Sequence, residues 1–344
     1  MKQTQNTATD RGEFHHVLNK NVELSVVMPC LNEADTLHVC IEKAQKAIAE
    51  NHIRAEIIVA DNGSTDGSQE IANRLNASVV NVREKGYGSA LMGGIAASQG
   101  KFIIMGDADD SYDFLDIPKF LDKLRDGFDL VQGCRLPGGG GTVKSGAMPF
   151  LHRWLGNPLF TFLAGRLFGS PINDVYCGLR GFTRAHYDFL DQRCTGMEFA
   201  TEMIIKSSLY KAKMTEVAIT LHPDGRKSHP PHLRTFKDGW RTLRFFLLYS
   251  PRWLFFIPGR FLIFLGLLCY AIALPKLSLY GVITFDVQTL LFGSFFITCG
   301  YQAILFFILT KTFAISEKLH PSSRRFNKFQ NIVNLENGLI VSFI

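Results

Sequence analysis

Lys101-Phe102-Ile103-Ile104-Met105-Gly106-Asp107-Ala108-Asp109 is the stretch that decides the fold of this chain. Its first half is a short apolar run closed by glycine, the pattern of a buried strand. Its second half sets two carboxylates at i and i+2 where that strand runs out. Carboxylates so placed can converge on one divalent cation. Hard oxygen ligands suit Mg²⁺ or Mn²⁺, and a cation held this way commonly bridges a substrate diphosphate. A solvated acidic turn would look the same in isolation, since Asp110, Asp113 and Asp116 lie close by. The sequence upstream separates the two readings.

There, residues 24–28 read as a first strand, ending at Pro29-Cys30-Leu31-Asn32-Glu33, and a helical pattern follows over 35–50. Residues 56–60 read as a second strand, ending at Asp61-Asn62-Gly63-Ser64-Thr65-Asp66-Gly67, with a helix to about 75. A short strand over 78–82 leads to Glu84-Lys85-Gly86-Tyr87-Gly88, then a helix to about 98 and the strand before Asp107. This alternation predicts an α/β fold, a mostly parallel sheet covered by helices. In open sheets of this kind ligands collect beyond the carboxyl ends of the strands. Glu33, Asp61, Lys85 and Asp107 each fall at such an end, and four together outweigh the acidic-turn reading.

Taken in order, Val27-Met28-Pro29-Cys30-Leu31-Asn32-Glu33, the Asp61 to Gly67 motif, the Gly86-Tyr87-Gly88 turn and Gly106-Asp107-Ala108-Asp109 resemble the family 2 glycosyltransferases of the GT-A fold. More narrowly they resemble the polyprenyl-phosphate hexose synthases, over about residues 23–250. The resemblance implies that Pro29, Glu33 and Asp61, with Asn32 beside them, hold the base and ribose of a nucleotide-sugar. It implies that Lys85 and Gly86 sit near the diphosphate, and that Asp107 and Asp109 bind the metal. Many such synthases carry Gln two residues after the second metal carboxylate; this chain has Ser111 there. Arg135, in Gly133-Cys134-Arg135, matches a Gly-Ser-Arg element. Asn173-Asp174-Val175-Tyr176-Cys177-Gly178-Leu179-Arg180 resembles an Asp…Gly-Phe-Arg block, which makes Asp174 a candidate for contact with sugar hydroxyls. His222-Pro223-Asp224-Gly225-Arg226-Lys227-Ser228 stands where the related synthases carry an acceptor loop, so Arg226, Lys227 and Ser228, with Arg135, would contact an acceptor phosphate. Asp109, Arg135 and Asp174 form the expected catalytic set.

The chain has 344 residues, 47% of them hydrophobic, with 29 Phe, more aromatic than a typical soluble enzyme. Its 7 cysteines show no CxxC or other metal spacing. Residues 1–22 are polar, with no visible signal peptide, and read as a disordered tail. Free thiols in a reducing cytosol fit the domain that follows, 23–232. The apolar content lies later. Residues 253–274 are broken only by Pro258, Gly259 and Arg260, and residues 288–310 carry no charge. A bilayer core about 30 Å thick needs roughly 20 helical residues. The second stretch is long enough. The first suffices if Arg260 snorkels to the interface. A transmembrane hairpin over 253–310 is therefore expected. Arg252 and Arg260 precede it, Lys311, Lys318, Arg324 and Arg325 follow it, and its loop has only Lys276. The positive-inside rule puts both flanks and the catalytic domain in the cytoplasm. In the tail, 311–344, the last residues are apolar but too short to span. They read as an interfacial segment or as the start of a third span.

Residues 222–260 hold Arg226, Lys227, Arg234, Lys237, Arg241, Arg244, Arg252 and Arg260 against only Asp224 and Asp238. Within them Phe236, Trp240, Leu243 and Leu247 recur at helical spacing. A basic stretch can bind nucleic acid, but this one runs directly into the apolar hairpin. An amphipathic helix over 233–252 in an anionic headgroup layer accounts for both features, and no nucleic-acid partner is expected. A soluble helix packed on the catalytic domain is the other reading. The resemblance and this anatomy together imply a membrane-anchored inverting transferase, with a UDP- or GDP-hexose as donor and a polyprenyl phosphate as acceptor. Homo-oligomerisation is compatible with the sequence. A processive polysaccharide synthase would carry Gln-x-x-Arg-Trp beside its helices; Tyr249-Ser250-Pro251-Arg252-Trp253 lacks the Gln. A non-catalytic scaffold that binds nucleotide-sugar would have no need of every carboxylate.

Overall fold

The computed structural model describes residues 22–226, 235–275, 278–279, 283–332, 337 and 339. Lys227, Ser228, the 1–21 tail, Lys276 and nearly all of 333–344 lie outside the described residues. The first half of the chain alternates as expected: β1 (Leu24–Cys30), α1 (Leu37–Glu50), β2 (Ala55–Asp61), α2 (Ser68–Arg74), β3 (Ser78–Asn81), α3 (Tyr87–Ala97) and β4 (Phe102–Met105). Then come α4 (Ile117–Arg125), β5 (Leu130–Cys134), β6 (Thr142–Val143), α5 (Asn157–Phe168), β7 (Arg180–Thr183), α6 (Arg184–Leu190), α7 (Glu198–Leu209), β8 (Met214–Ala218) and β9 (Thr220–Leu221). The main sheet has 7 strands in the order β3-β2-β1-β4-β7-β5-β8. Only β7 runs antiparallel to its neighbours, β4 and β5. β6 and β9 form a separate parallel pair.

The strands read as unbroken apolar runs because helices cover both faces of the sheet. Side chains alternate between two cores. Val26, Met28, Val59 and Ile104 face α1 and α4, where Leu37, Ile41, Phe120 and Leu121 pack. Val27, Ile58, Ile103 and Met105 face Leu91 of α3, Phe168 of α5 and Phe199 and Met203 of α7. α1 follows the same logic, with Leu37, Cys40, Ile41, Ala44 and Ala47 all buried on one stripe.

Beyond the sheet lie α8 (Thr235–Leu248), α9 (Ile257–Ala273), α10 (Val287–Ser316) and α11 (Arg324–Ile332). α8 has two faces. Phe246 is fully buried in the second core, with rings 5.8 Å from Phe160 and 5.5 Å from Phe168, whereas Trp240 is 65% exposed. The helix is thus docked on the catalytic domain and still presents an aromatic outward. A π-helical turn over Arg252–Phe256 joins directly onto α9, with Pro258 in the following turn, where a missing N–H disturbs the ladder. Counted from Arg252 the apolar helix has 22 residues, and α10 has 30, so both are long and apolar enough to cross a membrane. They pack antiparallel through glycines: a Cβ on Gly266 would lie 2.6 Å from the Gly293 carbonyl, and one on Gly300 2.6 Å from the Gly259 carbonyl. All seven cysteines are free.

Candidate functional site

The carboxyl ends of β1, β2 and β4 open onto one cavity of about 860 Å³. Pro29 and Glu33 line it from β1, Asn62 from β2, Lys85, Gly86 and Tyr87 from the entry to α3, and Asp107 and Asp109 from β4. The far wall carries Arg135, His152, Asp224, Arg226 and, from α8, Arg241.

Asn62 organises the end of the cavity beside Lys85 and Gly86. Its amide nitrogen donates to the carbonyls of Val82 and Glu84, and its Oδ1 accepts from the Gly86 N–H at 2.8 Å. Its own carbonyl accepts from Lys85 Nζ. Gly86 has φ of 138°, and a Cβ there would collide with the Thr195 carbonyl, so only glycine fits this approach. Asp61 is buried beneath the rim. It accepts from the Gly63 N–H at 2.9 Å, the Ser64 N–H at 3.1 Å and Gln69 Nε2 at 2.8 Å. Asn32, at φ of 59°, accepts from the Thr65 N–H at 2.9 Å, so the two expected nucleotide loops brace each other.

Asp107 receives the Tyr87 hydroxyl at 2.8 Å. Burial, followed by the charge of Asp109, pushes its carboxyl up to about 6. Asp109 accepts from the Ser111 N–H at 3.0 Å and the Ser111 hydroxyl at 2.6 Å. Ser111 therefore orients a carboxylate at the position where related synthases carry Gln. Two carboxylates crowded together in this way are a donor set for a small hard cation, which usually takes one or two carboxylates and completes its shell with water and substrate phosphates. Among the described residues no group of three or more His, Cys, Asp or Glu side chains forms a fuller cage. A guanidinium already answers this charge: Arg226 Nη2 lies 3.7 Å from Asp109.

Arg226 was expected at an acceptor phosphate. In this structure it makes a two-pronged pair with Glu33, at 2.7 and 2.6 Å, and a third contact with Asp224 at 2.9 Å. Burial opposes its charge, but Glu33 and Asp109 more than offset that and raise its pKa. Arg135 and Asp174 are likewise bound to each other. Arg135 donates from Nε at 2.7 Å, from Nη2 at 2.8 Å and from its backbone N–H at 3.0 Å to the two Asp174 oxygens. Asp174 is fully buried and stands behind Arg135, which itself lines the cavity. The remaining nitrogen, Nη1, lies 3.5 Å from the Tyr112 hydroxyl.

Several parts of this arrangement were not read from the sequence. Tyr87 sits between two glycines, and its role as a donor to Asp107 has no motif of its own. Arg241 was read only as one charge among many, although it pairs with Glu198 and reaches the cavity. The 150–162 segment was passed over altogether. It exposes Phe150, Leu151, Trp154, Leu155, Leu159 and Phe162, while His152 in the same stretch turns to the cavity. Its alternation of large apolar residues with His152 and Arg153 was the available signal.

Comparison with known proteins bears on the family and the fold. The family model described as glycosyl transferase family 2 matches residues 25–190. A low-salt glycan biosynthesis hexosyltransferase, Agl6, of Haloferax volcanii is 36% identical over 323 residues, covering 93% of this chain and 76% of its own. A dolichyl-phosphate hexose transferase of the same organism is 32% identical over 198 residues, covering 57% of this chain and 82% of its own. Among solved structures, glucosyl-3-phosphoglycerate synthase from Mycobacterium tuberculosis, in complex with Mn²⁺, UDP and glucosyl-3-phosphoglycerate, superimposes with a TM-score of 0.51. It is 22% identical and covers 66% of this chain and 79% of its own, a likeness of fold.

Proposed function

The chain belongs to glycosyltransferase family 2, and from that premise we propose that it moves a hexose from a nucleotide-sugar to a polyprenyl phosphate at a membrane surface. One observation carries this reading. The cavity lined by Asp107 and Asp109 is also lined by Arg241 of α8, the helix that leads into the two apolar helices. An acceptor whose head lies in the headgroup layer thus reaches the donor site without leaving the membrane. The exposed apolar face of 150–162, beside the same cavity, supports a seat on that layer. The name of the dolichyl-phosphate hexose transferase supports this acceptor, and that of Agl6 supports hexose transfer.

In the proposed reaction Pro29, Glu33 and Asp61 and its loop hold the nucleoside, and Lys85 with the Gly86 turn receives the diphosphate. Asp107 and Asp109 would hold a divalent cation, and its chemistry is to neutralise charge on the departing nucleoside diphosphate. The Mn²⁺ of the solved structural relative supports that choice. An oxygen of the acceptor phosphate attacks the anomeric carbon from the face opposite the diphosphate. The new C–O bond forms as the bond to the nucleoside diphosphate breaks, which inverts the centre. A phosphomonoester has a second pKa near about 6 and is largely dianionic at neutral pH, so it needs cations to place it more than a base to deprotonate it. Arg135 and Arg241 are the cations of the far wall, and Asp174 holds Arg135 in orientation. Arg226 is the third, released from Glu33 when the nucleotide competes for that carboxylate. The Lys and Arg flanks support a catalytic side that faces the cytoplasm.

The test is a panel of labelled UDP- and GDP-sugars incubated with membranes carrying the protein and Mn²⁺, followed by lipid extraction. One donor should label the lipid phase in wild-type membranes and not in Asp109→Asn membranes. Label confined to a water-soluble polymer would replace this reading with the polysaccharide-synthase one.

A further inference from the structure

Glu202 on α7 is fully buried, and so is Lys206 one turn later; the two pair at 2.7 Å. Burying an ion pair is seldom the most stable solution, because the desolvation cost rivals the attraction. This pair has another use. Glu202 Oε2 accepts from the backbone N–H groups of Arg193 at 3.0 Å and Cys194 at 2.9 Å. Lys206 Nζ donates to the carbonyls of Leu190 at 3.0 Å and Asp191 at 2.8 Å. Together they pin the connection 191–197 between α6 and α7.

That connection touches the donor site at one end. The Thr195 carbonyl accepts from the Ser89 N–H at 3.0 Å. The backbones of Cys194 and Thr195 lie so close to Gly88 and Gly86 that a Cβ at either glycine would overlap them. Gly86 and Tyr87 are the residues that meet Asn62 and Asp107. At its other end the connection meets the termini of the two apolar helices. The Tyr249 hydroxyl, just before the first of them, donates to Glu202 Oε1 at 3.1 Å. Arg193 reaches the Glu317 carbonyl at 3.2 Å, where α10 ends. The Tyr249 ring stacks on His320 with centroids 6.2 Å apart, and the Tyr210 hydroxyl donates to the Lys318 carbonyl at 2.9 Å.

We propose that Glu202 is a positioning residue that makes the 191–197 connection a strut, tying the diphosphate end of the donor site to the junction of the two apolar helices. It touches nothing in the cavity and acts through Thr195, Gly86 and Tyr87. Donor binding is therefore tuned by how the helices are seated, whereas Arg135 of the acceptor wall is held separately, by Asp174. The inference rests on the nucleotide-sugar site proposed above.

The test compares full-length wild type, Glu202→Gln and Tyr249→Phe in lipid nanodiscs. Glu202→Gln keeps the side-chain volume, and Tyr249→Phe keeps the ring stack and removes one hydroxyl. The KM for nucleotide-sugar should rise about tenfold in Glu202→Gln and about threefold in Tyr249→Phe, the sizes of one charged and one weaker hydrogen bond. The KM for polyprenyl phosphate should move less than the donor KM, since Asp174 holds Arg135 apart from the connection. Amide hydrogen exchange should quicken in both variants at 193–195 and at 86–89. Unchanged donor KM with unchanged exchange at 86–89, or equal loss in both KM values, would overturn the strut and leave Glu202 a residue of stability alone. If wild type itself gave no lipid-linked sugar, the acceptor reading would fall, while the exchange comparison would still decide the strut.

Discussion

Asp109 lines the cavity and Asp174 stands buried behind its wall, and the structure gives the two acids different kinds of consequence. The Asp109 carboxylate is bonded to Ser111 and lies 3.7 Å from Arg226. Asp109→Asn should abolish transfer while leaving the melting temperature of the full chain close to wild type, because an amide cannot hold a cation against two phosphates. Near-normal turnover in Mn²⁺ would dismiss the metal assignment. Asp174 is a structural partner first. Asp174→Ala would leave the Arg135 guanidinium buried with no counter-charge, which costs about 3–5 kcal/mol. A large fall in melting temperature in detergent should follow, and an unchanged melt would mean that Arg135 finds another anion. The sequence carried the identity of these residues but not their pairing. Arg135 and Asp174 are 39 positions apart, and no pattern in the chain says that one neutralises the other. The same holds for Arg226 and Glu33, 193 positions apart.

At the scale of elements, the alternation of strand and helix was legible because β1, β2 and β4 are buried between the helix layers and carry their apolar runs nearly entire. α8 was legible only in part. Its outward side chains follow the amphipathic pattern, but the burial of Phe246 against α5 depends on a docking that no local periodicity records. The helix α9 also reaches further than its apolar core suggested, since a π turn carries it back through Arg252. What holds α9 to α10 is visible in the glycines. Gly266 and Gly293 oppose each other, as do Gly259 and Gly300, and small residues let helix backbones approach closely in a membrane. Gly266→Val should therefore force the pair apart and destabilise it by about 1–3 kcal/mol, the usual cost of overpacking. Gly239→Ala, in open space on α8, is the control and should be neutral or mildly stabilising. Equal melting temperatures for the two variants would show that the glycine contacts do not hold the hairpin.

The whole molecule joins a GT-A catalytic domain to two apolar helices through α8, and its activity should depend on that joining. The basic residues at both ends of the hairpin predict its sidedness. A reporter fused after residue 320 should read as cytoplasmic, and one inserted in the 275–287 loop as external; a cytoplasmic signal from the loop would mean that the pair does not span. The central claim is that the acceptor is a phosphate carried by the membrane. Its most direct test uses purified full-length protein in nanodiscs, with Mn²⁺ and whichever labelled nucleotide-sugar proves active, offered polyprenyl phosphate or the same polyprenol without the phosphate. Transfer to the phosphate at neutral pH, with none to the alcohol, is the predicted result. Comparable transfer to the free alcohol would contradict it, because in this account the acceptor is placed through the phosphate charge that Arg135 and Arg241 meet.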